Sequence, residues 1–362
     1  MKDVLSFYRG KRVLLTGHTG FKGMWLALLL LRAGAEVTGF ALDAPTADGR
    51  EALRRLGVLK ELRDLRGDVR DADALGHAFA AARPEVVFHL AAQPIVRTSY
   101  RQPVETFAAN VMGTVNVLEC IRTSDTVRSA LIVTTDKVYE NKEWPWGYRE
   151  NEPLLGYDPY SASKSCAEIA AHSYRQSFFA GSGVRLSTAR AGNVIGGGDF
   201  APDRIIPDCI RAAVRGQVID IRNPHSTRPY QHVLEPLSVY LMLAARQAED
   251  VALVGAWNVG PDDADCVTTG ELADLFCRTW GAGARWEAHA DGGPHEAHFL
   301  KLDCSKIKSE LGWKPRWHIA EAVEKTVEWA KAWEAGADMR AVTEEQIEAF
   351  FAGDHRAGRE IG

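Results

Sequence analysis

At 362 residues, with 46% hydrophobic and 25% charged residues, the chain has enough material for two domains or for one large α/β unit carrying a lobe. A formal net charge of −5 leaves no basic excess to face nucleic acid or an anionic membrane, so an anionic ligand has to be met by local arginines. The six cysteines (Cys120, Cys166, Cys209, Cys266, Cys277 and Cys304) show no C-x-x-C spacing, which points to reduced thiols in a cytoplasmic protein.

The first residues lack the apolar region of a signal peptide, and the longest apolar run, Met24 to Leu31, is short of a membrane span. Next to that run lies the first motif. Lys11 to Thr16 reads as a strand leading into glycines at 17, 20 and 23, and Met24 to Arg32 follows as an apolar helix. Glycines there permit a tight turn and a close backbone approach, and the helix N-terminus faces a pyrophosphate.

Gly34 to Asp43 is the second strand by pattern. Asp43 stands where a ribose-binding acid belongs, and it reads equally as a turn residue before Ala44-Pro45-Thr46. The nearest following cation is Arg50, which favours NAD over NADP. Leu65 to Val69 is the third strand, with Asp68 at its end, and Glu85 to Gln93 is the fourth. Asp68 and the small tip Ala91-Ala92-Gln93 are either cofactor contacts or plain loop residues.

A helix pattern from Asn110 to Arg122 leads to the apolar run beginning at Leu131, which stops abruptly at Thr134-Thr135-Asp136-Lys137. Chemistry is expected at such a strand end. After the turn Gly156 to Pro159 a helix opens with Tyr160 and Lys164, four residues apart and so on one face, where the ammonium lowers the phenol pKa. Strands alternating with helices of this length predict a parallel, doubly wound Rossmann-type α/β sheet.

Beyond the strand Val184 to Arg190 and the glycine-rich exit Ala191 to Asp199, the pattern loosens into a smaller lobe. Its parts are an amphipathic stretch from Asp203 to Arg215, a strand at Val218 to Arg222 and a polar loop from Asn223 to His232. Arg222 and Arg228 flank that loop and suit a diphosphate, because guanidinium forks match phosphate oxygens. A helix from Glu235 to about Ala248 and a strand at Ala256 to Gly260 return to the sheet, so the domains interleave: 1–192 with about 230–260 binds the dinucleotide, and 193–229 with about 261–362 forms the substrate lobe.

Thr268 to Trp280 reads as a helix, Gly281 to Gly293 as loop, and Cys304 to Ala335 and Thr343 to Phe351 as helical. His295-Glu296-Ala297-His298 misses the H-E-x-x-H spacing and lacks a third ligand, so no metal is expected. Trp144, Trp146 and Tyr148 either wall the pocket or pack their own loop.

With these motifs in place, the chain resembles the extended short-chain dehydrogenase/reductase family of sugar-nucleotide enzymes. Within that family it is most similar to the branch of 4,6-dehydratases acting on CDP-glucose. The similarity is carried by Gly17 to Gly23, Thr134 to Lys137, Trp146 to Glu150, Gly156 to Ser161, Ala189 to Asp199, Ile221 to Pro224 and Arg228 to Pro236, and it continues through Pro294 to His298 and Leu302 to Lys306.

The resemblance implies a redox-neutral dehydration of CDP-glucose with bound NAD, the hydride leaving C4 and returning to C6. It implies that Tyr160 takes the 4-hydroxyl proton, helped by Lys164 and Thr135, and that Asp136 and Lys137 serve the elimination. Lys137 stands where relatives acting on other nucleotides carry a glutamate; it acts either as the C5 base or as a charge stabilising the enolate. Cofactor contacts are expected from Gly17, Gly20, Phe21, Gly23, Asp43, Asp68, Val69, Ala91, Ala92, Gln93, Asn110, Tyr160 and Lys164. Substrate contacts are expected from Asn193, Arg204, Arg222, Arg228 and His295. The resemblance also implies a homo-oligomer, a dimer or tetramer, built on helices near Asn110 to Arg122 and Ser161 to Phe179.

Overall fold

Short β-branched and leucine-rich runs alternate with longer amphipathic segments along the first half of the chain, and these runs become buried strands, with the partly exposed Arg63–Arg66 at the sheet edge. The computed structural model describes residues 2–289 and 298–352. Six strands follow in order: β1 (Arg12–Thr16), β2 (Glu36–Ala41), β3 (Arg63–Arg66), β4 (Val86–His89), β5 (Ser129–Val133) and β6 (Arg185–Ala191). They pair in parallel as β3-β2-β1-β4-β5-β6, and the strand Ala256–Val259 adds itself beside β6 to complete a seven-stranded sheet. Chain order reverses between β1 and β4, so the crevice above their carboxyl ends is the topological switch point.

Side chains alternate across a strand, and here the alternation divides two cores. Val13 and Leu15 of β1, Phe88 of β4 and Leu131 and Val133 of β5 join the helices Phe21–Arg32 and Leu234–Glu249. Leu14, Val87, Ala130 and Ile132 point the other way, onto the helices Ala72–Ala82, Gly113–Thr123 and Pro159–Tyr174. Both faces are covered, as a parallel sheet requires.

A separate cluster forms the lobe, where Ile206, Cys209, Ile219, Ile221, Leu272 and Phe276 meet Val323 and Val327 of the helix Ile319–Glu334. Two small strand pairs brace it: Ile219–Ile221 with Trp286–Ala288 in parallel, and Thr227–Pro229 with Cys266–Thr268 antiparallel. The helix Thr269–Trp280 begins with a capping box between Thr268 and Glu271.

Several element boundaries differ from the sequence pattern. β3 runs from Arg63 to Arg66, so Asp68 and Val69 lie past the strand in the following turn. The expected helix from Asn110 begins as a π-helical turn, Ala108–Met112, before the regular helix Gly113–Thr123. The helical stretch from Cys304 to Ala335 is two helices, Ser305–Leu311 and Ile319–Glu334; Gly312 ends the first in a left-handed conformation (φ 63°), and Pro315 prevents its continuation. The segment from 281 holds the strand Trp286–Ala288, recruited by the edge of Ile219–Ile221.

Glu235 joins the two parts of the chain. Its Oε1 accepts from the N–H groups of Arg316 (2.8 Å) and Trp317 (2.7 Å), while Oε2 is buried with no partner among the described residues. Burial pushes this carboxyl up to about 7, against the pull of the two N–H bonds. Folding therefore favours the protonated acid, and stability is lost as pH rises from the ordinary glutamate value towards about 7. Glu235→Gln keeps the acceptor and removes the titration. Relative to the wild type, the variant is expected to gain about 1.4 kcal/mol per pH unit between pH 5 and about 7, levelling off by pH 8. Urea midpoints at both pH values check this; parallel pH curves for the two proteins would contradict it.

Candidate active site

The helix Pro159–Tyr174 starts where its sequence says it should. Asp158 caps it, accepting from the Ser161 N–H at 3.0 Å and from the Ser161 hydroxyl at 2.6 Å, and proline occupies the first turn. Tyr160 is therefore held in the first turn and Lys164 one turn on. Both are buried, and the Lys164 ammonium donates to the carbonyl of Val133, the last residue of β5, at 3.1 Å.

The expected lowering of the phenol pKa by Lys164 is not what the structure shows. Burial pushes Tyr160 up to about 12; a hydrogen bond with Thr135 opposes this, and the charge of Asp136 reinforces it. Lys164 itself is pulled down to about 8 by burial, with Glu168 opposing. The ammonium is engaged by a backbone carbonyl, and desolvation outweighs the nearby charges.

After β5 the chain turns through Thr134 and Thr135 into the short 3₁₀ segment Asp136–Val138. Thr135 organises it, donating its hydroxyl proton to Asp136 Oδ1 at 2.7 Å and accepting from the Lys137 N–H at 3.4 Å. Asp136 is 2% exposed, and its Oδ2 has no partner among the described residues. Burial raises this carboxyl above the ordinary aspartate range; the charges of Lys137, Arg228 and Lys22 and the Thr135 hydroxyl bond resist. Lys137 is half-buried.

The glycine turn lies against the exit of β4. A Cβ on Gly17 (φ 78°) would meet the Ala91 nitrogen at 2.7 Å, and one on Gly23 would meet the Gly17 carbonyl oxygen at 2.0 Å. Gly20 caps the helix Phe21–Arg32 with no side-chain bond, so the first-turn N–H groups are left for an anion.

Two residues between these glycines escaped the sequence reading. His18 is fully buried under Gly39 and bonds Asp64 through Nε2 at 2.8 Å. Burial pulls Lys22 down to about 7; the charges of Arg204 and Lys164 act the same way, and Asp136 and Asp199 oppose. Lys22 thus shares the electrostatic surroundings of Tyr160, Lys164 and Asp136. A signal existed: ionisable residues in the variable positions of a glycine turn that the fold buries.

The remaining expected cofactor positions fall into place unevenly. Asp43 lies beyond β2, its side chain 79% exposed, and pairs with Arg66 at 3.2 Å. The cation beside it is therefore Arg66 from the neighbouring strand; Arg50 donates to the Ala44 carbonyl. Asp68 is taken by Arg70, which meets it with both side-chain and backbone N–H groups. Val69 is buried at the start of the helix Gly113–Thr123, where a Cβ on Gly113 would touch it. Ala91, Ala92 and Gln93 are half-buried along the β4 exit.

Asn110 departs from the expected role of a direct contact, because it is fully buried and its amide is committed. Its Oδ1 accepts from the Gln93 N–H (2.8 Å), while Nδ2 donates to the Gln93 carbonyl (3.1 Å) and the Ser163 hydroxyl (2.9 Å). It braces the β4 exit against the tyrosine helix.

Among the expected substrate residues, the structure brings Arg228 to Asp136: it is 5% exposed, its charge acts on that carboxyl, and Nη1 donates to the Thr227 carbonyl at 2.9 Å. Arg204 pairs with Asp199 at 2.9 Å, and its charge reaches Tyr160 and Lys22. Arg222 is held by Asp203 at 3.0 Å. Asn193 is half-buried just past β6, with its carbonyl accepting from the Gln231 N–H at 2.9 Å. His295 lies outside the described residues.

Trp144 and Tyr148 pack their own loop: Tyr148 stacks on Tyr139 at 5.3 Å and Trp144 on Tyr148 at 5.6 Å, while Trp146 is 57% exposed. No cluster of metal-ligating side chains occurs among the described residues.

A doubly wound parallel sheet with a glycine turn on its first strand, and a buried Tyr–Lys pair against its fifth, defines the extended short-chain dehydrogenase/reductase class. The chain belongs to the GDP-mannose 4,6 dehydratase family, whose family model matches residues 14–326. It is 49% identical over 357 residues to CDP-glucose 4,6-dehydratase of Salmonella typhimurium, covering 97% of this chain and 99% of the relative. It is 30% identical to dTDP-glucose 4,6-dehydratase of Streptomyces antibioticus, covering 88% of this chain and 91% of that one. UDP-glucose 4-epimerase of Thermus thermophilus, solved with NAD, superposes with a TM-score of 0.77 at 26% identity, covering 88% and 99% of the two chains.

The bracing role of Asn110 is open to test by Asn110→Ala, which leaves the Gln93 N–H and carbonyl without their partner. A loss of about 1–3 kcal/mol in unfolding free energy is expected. Denaturant titration measures it, and an unchanged midpoint would show that the amide is dispensable.

Proposed function

We infer that this chain dehydrates CDP-D-glucose to CDP-4-keto-6-deoxy-D-glucose. The observation that carries the reading is the meeting of Tyr160 and Lys164 with Thr135, Asp136 and Lys137 in one buried site, since an epimerase needs no acid-base pair beyond the first two. The nucleotide preference rests on the Salmonella relative and its near-complete coverage.

NAD fits the glycine turn, whose close contact with Ala91 and uncapped helix N-terminus suit a dinucleotide, with Gly17, Gly20, Phe21 and Gly23 against the pyrophosphate. When bound, NAD⁺ supplies a hydride acceptor, a positive charge beside the phenol and the hydride later delivered to C6. Asp43 would meet the adenosine ribose, and Ala91, Ala92 and Gln93 at the β4 exit would line the cofactor site.

Tyr160 takes the proton of the sugar 4-hydroxyl, and Thr135 holds the same oxygen. The 4-ketone acidifies the C5 hydrogen. In the elimination the C5–H and C6–O bonds break, a C5–C6 double bond forms, and the 6-hydroxyl leaves with a proton from Asp136 as water. Burial suits Asp136 to this role, because it shifts the carboxyl towards its protonated form. Lys137 serves C5: as an amine it takes the proton, and as an ammonium it holds the charge of the enolate while Asp136 or water takes the C5 proton. Addition of hydride at C6 and of a proton at C5 completes the cycle, with net loss of one water. Arg228 and Arg204, with Asn193, meet the diphosphate and sugar.

The helices 103–123 and 159–179 expose Val104, Phe107 and Met112 on one and Ile169 and Phe178 on the other. Such a face suits a second copy of the chain, and we place a homodimer there; light scattering is expected to give twice the chain mass, and a monomer at working concentration would refute it. The unpaired thiols of all six cysteines suit a reducing cytoplasm.

Turnover with CDP-glucose, dTDP-glucose, UDP-glucose and GDP-mannose, each with NAD⁺, is expected to yield the dehydrated product from CDP-glucose, read as loss of one water by mass. A change of configuration without water loss would favour an epimerase. In the same assay Tyr160→Phe is expected to abolish the initial oxidation. Asp136→Asn is expected to keep oxidation and slow water loss by ~10²–10⁴. Equal loss of the transient reduced-nicotinamide absorbance in both variants would contradict the assignment.

A further inference from the structure

The turn that carries Thr135, Asp136 and Lys137 is tethered at both ends, outside the residues that do chemistry. On its N-terminal side the Thr134 hydroxyl donates to Glu168 Oε1. On its C-terminal side the Tyr139 hydroxyl accepts from Arg190 Nη1 at 2.9 Å. Glu168 and Arg190 are themselves an ion pair, Nη2 to Oε2 at 2.8 Å, and each is 3% exposed. One buried pair thus closes a ring through both flanks of the turn.

The carboxylate is well satisfied, since Thr188 also donates to Oε2 at 2.8 Å. The guanidinium adds a bond to the Glu150 carbonyl at 3.0 Å, and the Tyr139 hydroxyl donates onward to Asn258 Oδ1 at 2.6 Å. Glu168 projects from the tyrosine helix, one turn beyond Lys164. That helix reaches the same segment twice more: Lys164 binds the Val133 carbonyl, and the Ser165 hydroxyl donates to the Val138 carbonyl at 2.7 Å.

The relative placement of Tyr160 and Lys164 is internal to one capped helix and needs no outside support. The placement of Asp136 and Lys137 against Tyr160 depends on how the turn is fastened to that helix. Building on the dehydratase reading, we propose that Glu168 and Arg190 are a positioning pair that sets Asp136 and Lys137 over the oxidised sugar and so governs water elimination more than the preceding oxidation, in which Thr135 is the turn's one participant beside the helix. The pair touches neither sugar nor cofactor in this role; it acts through Thr134 and Tyr139. A shift of the turn by a fraction of an ångström is enough to matter, because an acid must lie within hydrogen-bonding reach of its leaving group.

The test cuts the tethers and leaves both buried charges in place. Thr134→Val and Tyr139→Phe each remove one hydroxyl with little change of shape, the double variant removes both links of the turn to the Glu168–Arg190 pair, and Thr134→Ser restores the hydroxyl. Wild-type turnover of CDP-glucose is measured first, so that failure of the dehydratase reading is seen separately, as absence of water loss in the unaltered enzyme.

In single-turnover reactions, the rate of reduced-nicotinamide formation is expected to stay within about threefold of wild type, while water loss slows ~10-fold or more in the double variant. The quenched mixture then accumulates the 4-ketone that still holds its 6-hydroxyl, and Thr134→Ser behaves as wild type. Unfolding midpoints are recorded on the same samples. Oxidation and water loss falling in proportion, or a lowered midpoint with an unchanged ratio of the two rates, would overturn the proposal and leave the pair a purely structural one.

Discussion

Lys164 donates to the carbonyl of Val133, and that contact joins the helix bearing the phenol to the end of the strand whose exit bears the acid. A backbone carbonyl at the end of a parallel strand has no further strand residue to pair with, so it is available to a side chain from the covering helix. Here the side chain is a buried ammonium, which has its own need for an acceptor. The two requirements meet, and β5 and the helix Pro159–Tyr174 are brought into register by them. Everything that follows in the site, from Thr135 to Tyr139, is placed relative to this junction.

The second constraint is dryness. Burial is the largest influence on Tyr160, Asp136, Lys164 and Lys22, and it moves each towards its uncharged form: the phenol and carboxyl upward, the ammonium groups downward. Opposite charges partly restore the balance, with Arg228 and Lys22 set against Asp136, and Glu168 against Lys164. A site of this kind holds proton donors and acceptors close to exchange, and small changes of charge around them are felt strongly because little water screens them. The same economy applies to Glu168 and Arg190, which are tolerable in the interior because every oxygen of the carboxylate has a donor.

Much of the fold was legible along the chain. The strand and helix runs of the first half carry their period locally, and a doubly wound sheet follows from their alternation. The Tyr160–Lys164 pair was legible because helical spacing alone puts the two on one face, and Thr135-Asp136-Lys137 because it interrupts an apolar strand. Other features were hidden by distance. Arg66 stands beside Asp43 only because β3 lies next to β2, and the sequence distance made Arg50 look nearer. Asn110 looked like a contact residue until its three hydrogen bonds, to Gln93 and Ser163, showed it to be a brace.

By itself, the sequence determined the order of strands and helices, the glycine turn and the contiguous groups that carry acid-base chemistry, since each of these depends on residues within a few positions of one another. Tertiary structure decided the protonation tendencies and the pairings: that Tyr160 is raised despite its lysine neighbour, that Lys22 joins the site, and that Glu168 and Arg190 close a ring around the turn. Those outcomes depend on desolvation and on contacts between segments far apart in the chain, and neither quantity exists until the sheet and its covering helices have come together.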